Sequence, residues 1–428
     1  MRRLIFLKIF FLVLSFYIPS VNSEIYKTID EDGNIIFTDK KPSISHKEIE
    51  SDEVQIIENN QSLISSEIEN KKEENVKNNI VTDVNISLRN HYKQMRPSLD
   101  KSDWHIHDPS RVINTSSGQI ISVTGKAQED GYECGLETWY RTSRNSNWEP
   151  LECLFTNKPD WISEIVPTND GAFWAPEFID NNRILYSVAS NFDDVGPSCT
   201  ALAIGRKTGG QIIWEDSGEP LTCTTGLPTK TEGGEIEIEA IDPAYVFSPD
   251  GKAYLITGGG LIHGTEVNPQ TFQPISGNWF TLNDPHWKTL ARGPRSEDGE
   301  EGIGDGYEWV EAPYVYYQNN FYYLFVNWGS CCRGVDSDYN IRVGRSKKPL
   351  GPFLDKKGID MIDGGGSLVI ESAGTKRGPG HAGIWTNKDK QNILGFHYYD
   401  AKRNGISLFD ERVITWKDNW PILKKDKN

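Results

Sequence analysis

Asp108, Glu177, Asp242, Glu311 and His381 recur along this 428-residue chain at intervals of 65 to 70 residues. Four are carboxylic acids and the fifth is an imidazole. Proline stands one or two positions from each acid, in Asp108-Pro109, Pro176-Glu177, Asp242-Pro243 and Glu311-Ala312-Pro313, and His381 follows Gly378-Pro379-Gly380. Carboxyl groups facing one another across a cleft can break a glycosidic bond. One stays protonated and donates to the leaving oxygen; another is ionised and activates water or attacks carbon. Taken singly, an Asp or Glu beside proline reads as a turn residue. Four in register, with a histidine in the fifth unit, point to chemistry instead.

Each of the five is followed by the same local pattern: an apolar run, a polar turn and a second apolar run. After Asp242 this reads AYVF, SPDG, KAYLIT; after Glu311 it reads YVYY, QNN, FYYLFV. Asx- and Gly-rich turns between β-branched and aromatic runs are hairpin signals. A fixed period with hairpins in every unit fits the blades of a β-propeller. The expected fold is therefore all-β, a five-bladed β-propeller over residues 99–428 with the polar groups converging at its centre. The competing architecture is a β-sandwich whose spacing is accidental.

The rest of the chain is organised more simply. Arg2 and Arg3 precede the apolar run LIFLKIFFLVLSFYI, and Val21-Asn22-Ser23 offers a small-residue cleavage site, so residues 1–23 read as a secretory signal peptide. The expected location is secreted or periplasmic, with no integral membrane segment after the signal is removed. Residues 24–43 form a small β module, with two short strands flanking Asp32-Gly33-Asn34. Through Tyr26-Lys27, Asp32-Gly33 and Phe37-Thr38-Asp39 it resembles a small domain of unknown function common in proteobacterial envelope proteins. Residues 44–98 are rich in Glu, Asn, Lys and Ser, and read as a flexible linker.

Composition bounds the partners. Aromatic residues make up 11% of the chain and the formal net charge is −16. That charge argues against nucleic acid or an anionic membrane surface and is compatible with a neutral substrate; the chain is expected to act as a monomer. Export permits disulfides. By spacing, Cys134–Cys153 and Cys199–Cys223 are plausible local pairs, while the adjacent Cys331 and Cys332 are either bridged or reduced. No CxxC pattern supports a zinc site.

The segment Glu311-Ala312-Pro313-Tyr314, with the block from Cys331 to Gly366, resembles glycoside hydrolase family 43. Trp174-Ala175-Pro176-Glu177, Ala240-Ile241-Asp242-Pro243, Gly378-Pro379-Gly380-His381 and Phe396–Ala401 match it too. Within the family the chain is most similar to endo-α-1,5-L-arabinanases. The resemblance implies a five-bladed propeller and a single inverting displacement on arabinan, a plant cell-wall polysaccharide. It implies that Asp108 is the general base, Glu311 the general acid and Asp242 the residue that orients Glu311 and raises its pKa. It implies a metal, usually calcium, contacted by His381; a lone histidine is an unusual calcium ligand, because calcium prefers oxygen. Glu177 stands where the family usually has Asp, and Ala382 where it often has Asn.

Trp174, Glu177, Phe192 and Arg333 are the substrate-binding candidates, Trp174 for stacking on a pentose ring and Arg333 for sugar hydroxyls or a salt bridge to Asp336 or Asp338. Trp309 is a weaker stacking candidate. Glu308 competes for the acid role but lacks the Ala-Pro context. The alternatives to an endo-arabinanase are an exo-acting α-L-arabinofuranosidase or β-xylosidase, and a non-catalytic glycan-binding propeller. The intact Asp, Asp, Glu set argues against the last. The insertion from Asn268 to Gly306 is long enough to close one end of a groove.

Overall fold

The computed structural model describes residues 26–29, 35–38 and 106–424, apart from 130–131, 156–157, 192–195, 209–210, 228, 232–233, 276, 278–283 and 297–305. The expected signal peptide and linker lie outside the described residues. The chain divides into two units, residues 1–71 and 72–428. In the first, Tyr26–Ile29 pairs antiparallel with Ile35–Thr38, the hairpin expected around Asp32-Gly33.

Strands dominate the second unit; among the described residues the one α-helix is Asp160–Ile165. Antiparallel four-stranded meanders recur along the chain. The first comprises Ile113–Asn114, Gln119–Glu129, Leu136–Arg141 and Glu149–Cys153, and the second Ala172–Asp180, Arg183–Ala189, Ser198–Thr208 and Gln211–Asp216. Three separate four-stranded sheets follow, built on Ala244–Phe247, Val310–Gln318 and Lys376–Thr386 as their first strands. The first two meanders are not separate sheets, as five distinct blades would require. They join into one ten-stranded sheet through the pairs Gly125↔Phe173 and Lys126↔Ala172. Gly135 leaves room for Phe173 at this junction: a Cβ there would stand 2.9 Å from the Phe173 ring.

Side-chain alternation explains why second strands such as Arg183–Ala189 and Phe321–Trp328 are largely apolar. Successive residues point to opposite faces, and both faces are covered. Tyr322, Leu324 and Val326 enter one core while Tyr323 and Phe325 enter the next. Ile184, Tyr186 and Val188 likewise face one core and Leu185 another. Five such cores connect consecutive meanders, and the last, with Ile121 and Trp139 against Trp385 and Ile393, returns from the fifth meander to the first. Ile106 reinforces that return by donating its N–H to the Ser407 carbonyl, 2.9 Å away. Asx turns close the hairpins: Asn319 and Asn320 both have positive φ, the geometry of a two-residue type I′ turn.

All six cysteines are bridged, as Cys134–Cys153, Cys199–Cys223 and Cys331–Cys332. Cys199 and Cys223 are opposed on paired strands, which is why their spacing was informative. Among the described residues no helix is long and apolar enough to cross a membrane.

Candidate active site

The five units do share a backbone position, but it is not occupied by five polar side chains. Asp108, Ala175, Asp242, Ala312 and His381 all have φ between 43° and 59°. Non-glycine residues rarely adopt this left-handed region, and where they do the strain often marks a functional site. Each N–H at this position is caught by a side chain of the unit before it. Ala175 donates to Thr124 Oγ1, Asp242 to Ser187 Oγ, Ala312 to Asp242 Oδ2, His381 to Asn327 Oδ1, and Asp108 to His397 Nδ1 of the last unit. The strand registers slip beside Ala175, Ala312 and His381, and such bulges re-aim side chains.

A cavity of about 900 Å³ opens over this position and is lined by Asp108, Asp242, Glu311, Trp174, Trp309 and Tyr339, among others. Asp108 accepts from Thr124 Oγ1 at 3.0 Å and lies 2.9 Å from His107 Nδ1. His381 and His397 each bring a ring nitrogen within 3.5 Å of its other oxygen. Burial alone would raise the Asp108 pKa, but the surrounding imidazoles outweigh it and hold the carboxyl well below the usual range.

Glu311 experiences the opposite balance. Its carboxyl receives the Tyr339 hydroxyl at 2.5 Å and the Trp309 indole N–H at 2.7 Å. Burial outweighs these two donors and, helped by the Asp108 charge, raises its pKa. Asp242 is pushed well above the carboxylate range by burial and by Glu311 and Asp108. Since Asp242 Oδ2 holds the Ala312 N–H at 2.9 Å, it also fixes the peptide directly after Glu311.

Trp174 lines the cavity, as expected of a sugar-stacking residue, whereas Glu177 does not. Glu177 is buried away from it, accepting the Arg111 N–H at 2.9 Å and standing 3.4 Å from Arg111 Nε. Burial outweighs Arg111 and pushes the Glu177 pKa up to about 7. The expected substrate contact is thus replaced by an internal ion pair. Replacing Glu177 with alanine is expected to cost roughly 3–5 kcal/mol of stability, because it strands the Arg111 charge; urea unfolding measures this.

Arg333 is exposed, does not line the cavity, and makes no ion pair to Asp336 or Asp338. Phe192 lies outside the described residues. Glu308 is exposed and off the cavity, so Glu311 is the acid of that segment that enters the site.

His107, Asp108 and His397 offer atoms within 4.8 Å of one another. Most of those ring nitrogens are already engaged: His107 Nε2 meets the Tyr399 hydroxyl at 2.7 Å and His397 Nδ1 takes the Asp108 N–H, while His397 Nε2 is buried without a hydrogen-bond partner. His381 Nδ1 is likewise buried without a hydrogen-bond partner, 3.5 Å from Asp108 Oδ1. One imidazole beside one carboxylate offers a cation few protein ligands, so water would have to complete a calcium shell.

Sequence reasoning missed Tyr339, His397 and Tyr399 as site residues. Tyr339 and the two later residues all fall in segments that carried the family resemblance, yet none belongs to the repeat.

The profile of the glycosyl hydrolases family 43 matches residues 133–421. An extracellular endo-α-(1→5)-L-arabinanase of Bacillus subtilis is 30% identical over 74% of this chain and 87% of that protein. An extracellular exo-α-(1→5)-L-arabinofuranosidase of Cellvibrio japonicus is 30% identical over 66% of this chain and 79% of its own length. Among solved structures, an exo-1,5-α-L-arabinanase from a bovine ruminal metagenomic library superposes with a TM-score of 0.64 at 26% identity, covering 77% of this chain and all of that one. An endo-arabinanase of Bacillus licheniformis gives 0.57 at 30% identity, over 75% of this chain and 98% of that one. Sequence profile, relatives and architecture agree with the carboxylate-lined cavity: the chain belongs to glycosyl hydrolases family 43 and is a glycoside hydrolase.

Proposed function

We propose that the chain is an exported, monomeric, inverting endo-arabinanase that cleaves internal α-1,5-L-arabinofuranosidic bonds. One observation carries the reading: two carboxyls line one cavity in opposite surroundings, Asp108 among imidazoles that lower its pKa and Glu311 in a buried setting that raises its own. Such a split assigns base and acid. Asp108 accepts a proton from a water that attacks the anomeric carbon, while Glu311 passes its proton to the departing sugar oxygen. Asp242 orients the acid through the Ala312 peptide. We read the meanders as five blades in a ring, supported by the five inter-meander cores and the head-to-tail hydrogen bonds at the left-handed position.

Endo action requires a groove open at both ends. Of the insertion Asn268–Gly306, no described residue lines the cavity; the endo reading rests on the resemblance to endo-acting relatives. The extracellular relatives support export. Calcium, where bound, would be held by the His381 imidazole and would supply positive charge beside Asp108. Digestion of linear arabinan followed by chromatography tests the reading: a ladder of oligomers is expected, and arabinose alone would replace it with the exo reading.

Tyr339 stabilises the ionised form of Glu311 by donating to it. Tyr339→Phe therefore raises the Glu311 pKa further, so the acid stays protonated to higher pH. The alkaline limb of kcat/KM is expected to move up in pH; a downward move would contradict the assigned contact.

A further inference from the structure

The cavity holds more carboxyl groups than hydrolysis needs. Besides Asp108, Asp242 and Glu311 it is lined by Glu237 and Glu239, and among the described residues neither lysine nor arginine lines it. Glu237 is exposed at the rim, but Glu239 is half-buried and rigidly placed. Its backbone is fastened on both sides to Gly259, through Glu239 N–H to Gly259 O at 3.0 Å and Gly259 N–H to Glu239 O at 3.2 Å.

The fastening lays the carboxyl over a glycine floor. A Cβ on Gly259 would meet Glu239 Oε2 at 2.8 Å and Trp309 Cζ2 at 3.0 Å, and one on Gly260 would meet Trp309 Cζ3 at 3.3 Å. Any larger residue at 259 would displace both side chains. Glu239 and Trp309 thus flank the same glycine, and Trp309 donates its indole N–H to the acid Glu311. Among the described residues the Glu239 carboxyl has no hydrogen-bond partner. A rigidly held, unpaired carboxyl facing a cavity beside an aromatic ring matches what a sugar offers, an apolar ring face and a fringe of hydroxyl donors.

We infer that Glu239 is a substrate-positioning carboxyl: it accepts hydrogen bonds from hydroxyls of the neutral sugar seated against Trp309. The inference rests on the glycosidase reading above and adds a specificity residue to it. Two consequences follow from the groups around it. These are Glu237 on its own segment, Glu311 and Asp242 on the packed segments, and no charge on the Gly259–Gly260 turn. Burial, then Glu311, then Glu237 push the Glu239 pKa up to about 7. It therefore gains charge, and becomes the stronger acceptor, as pH rises through neutrality. Its charge in turn opposes ionisation of Glu311. Uronate-bearing polymers are disfavoured by the same uncompensated acids.

Steady-state kinetics of wild type, Glu239→Gln and Glu239→Ala across pH 5–9 on linear arabinan test this. In Glu239→Ala, KM is expected to rise about tenfold or more, the loss of a hydrogen bond to a charged group, and to rise by more than kcat falls. Glu239→Gln should retain part of the binding, lose the improvement of KM between pH 6 and 8, and show an alkaline limb shifted to lower pH. Both variants matching wild type in KM and pH profile would overturn the inference. A wild type that cleaves a xylan-type polymer instead of arabinan overturns the arabinan reading alone, and the same comparison then applies on that polymer. A wild type that cleaves neither overturns both.

Discussion

Glu311→Ala is expected to lower kcat on arabinan by roughly 10²–10⁴-fold, the usual contribution of a positioned general acid. The leaving group in arabinan is an alkoxide of high basicity, so bond cleavage depends on a proton arriving as the bond breaks. The same variant should lose far less on an aryl arabinofuranoside, whose phenolate needs no proton. The structure gives the reason for assigning this role to Glu311. Its carboxyl is held by two uncharged side-chain donors, Tyr339 and Trp309, and burial raises its pKa. Folding should survive, because Glu311 and both its donors border the cavity.

Asp108→Ala is expected to lose a comparable factor through the opposite route. Without the carboxylate no group draws the proton from the attacking water, so an aryl leaving group gives no relief. Azide, a nucleophile that needs no base, should restore part of the turnover and yield a glycosyl azide of inverted configuration. The contrast between the two variants is sharper than either loss alone. Rescue by leaving group belongs to the acid, and rescue by nucleophile belongs to the base. The wild-type pH profile should accordingly be bell-shaped, its acid limb set by the depressed Asp108 and its alkaline limb by the elevated Glu311.

The repeat was legible in the sequence to within one or two residues, and the error is instructive. A search for recurring polar residues finds Asp108, Asp242 and His381 at the left-handed position, but at the other two units that position is alanine, Ala175 and Ala312. Glu311 lies just before it and enters the cavity; Glu177 lies two beyond it and turns toward Arg111. Strand alternation, locally reset by a bulge, decides which side a carboxylate faces, and the bulge has no compositional signature. The joining of the first two meanders was likewise invisible, since it rests on two residue pairs between separate hairpins. Local pairings, by contrast, were readable: the Asn319-Asn320 turn and the two disulfides between nearby cysteines depend on short stretches of chain. Tyr339 escaped because it acts from a loop outside the repeat, and Glu239 because it recurs in no other unit.

The central claim is a single displacement in which Asp108 and Glu311 act on opposite faces of one sugar. Proton NMR of the first-formed product, recorded before mutarotation, tests it most directly. The α-linked substrate should give the β-anomer first, with the α-anomer growing in only afterwards. The α-anomer appearing first would mean retention through a covalent intermediate and would contradict the assignment of Asp108 as a base.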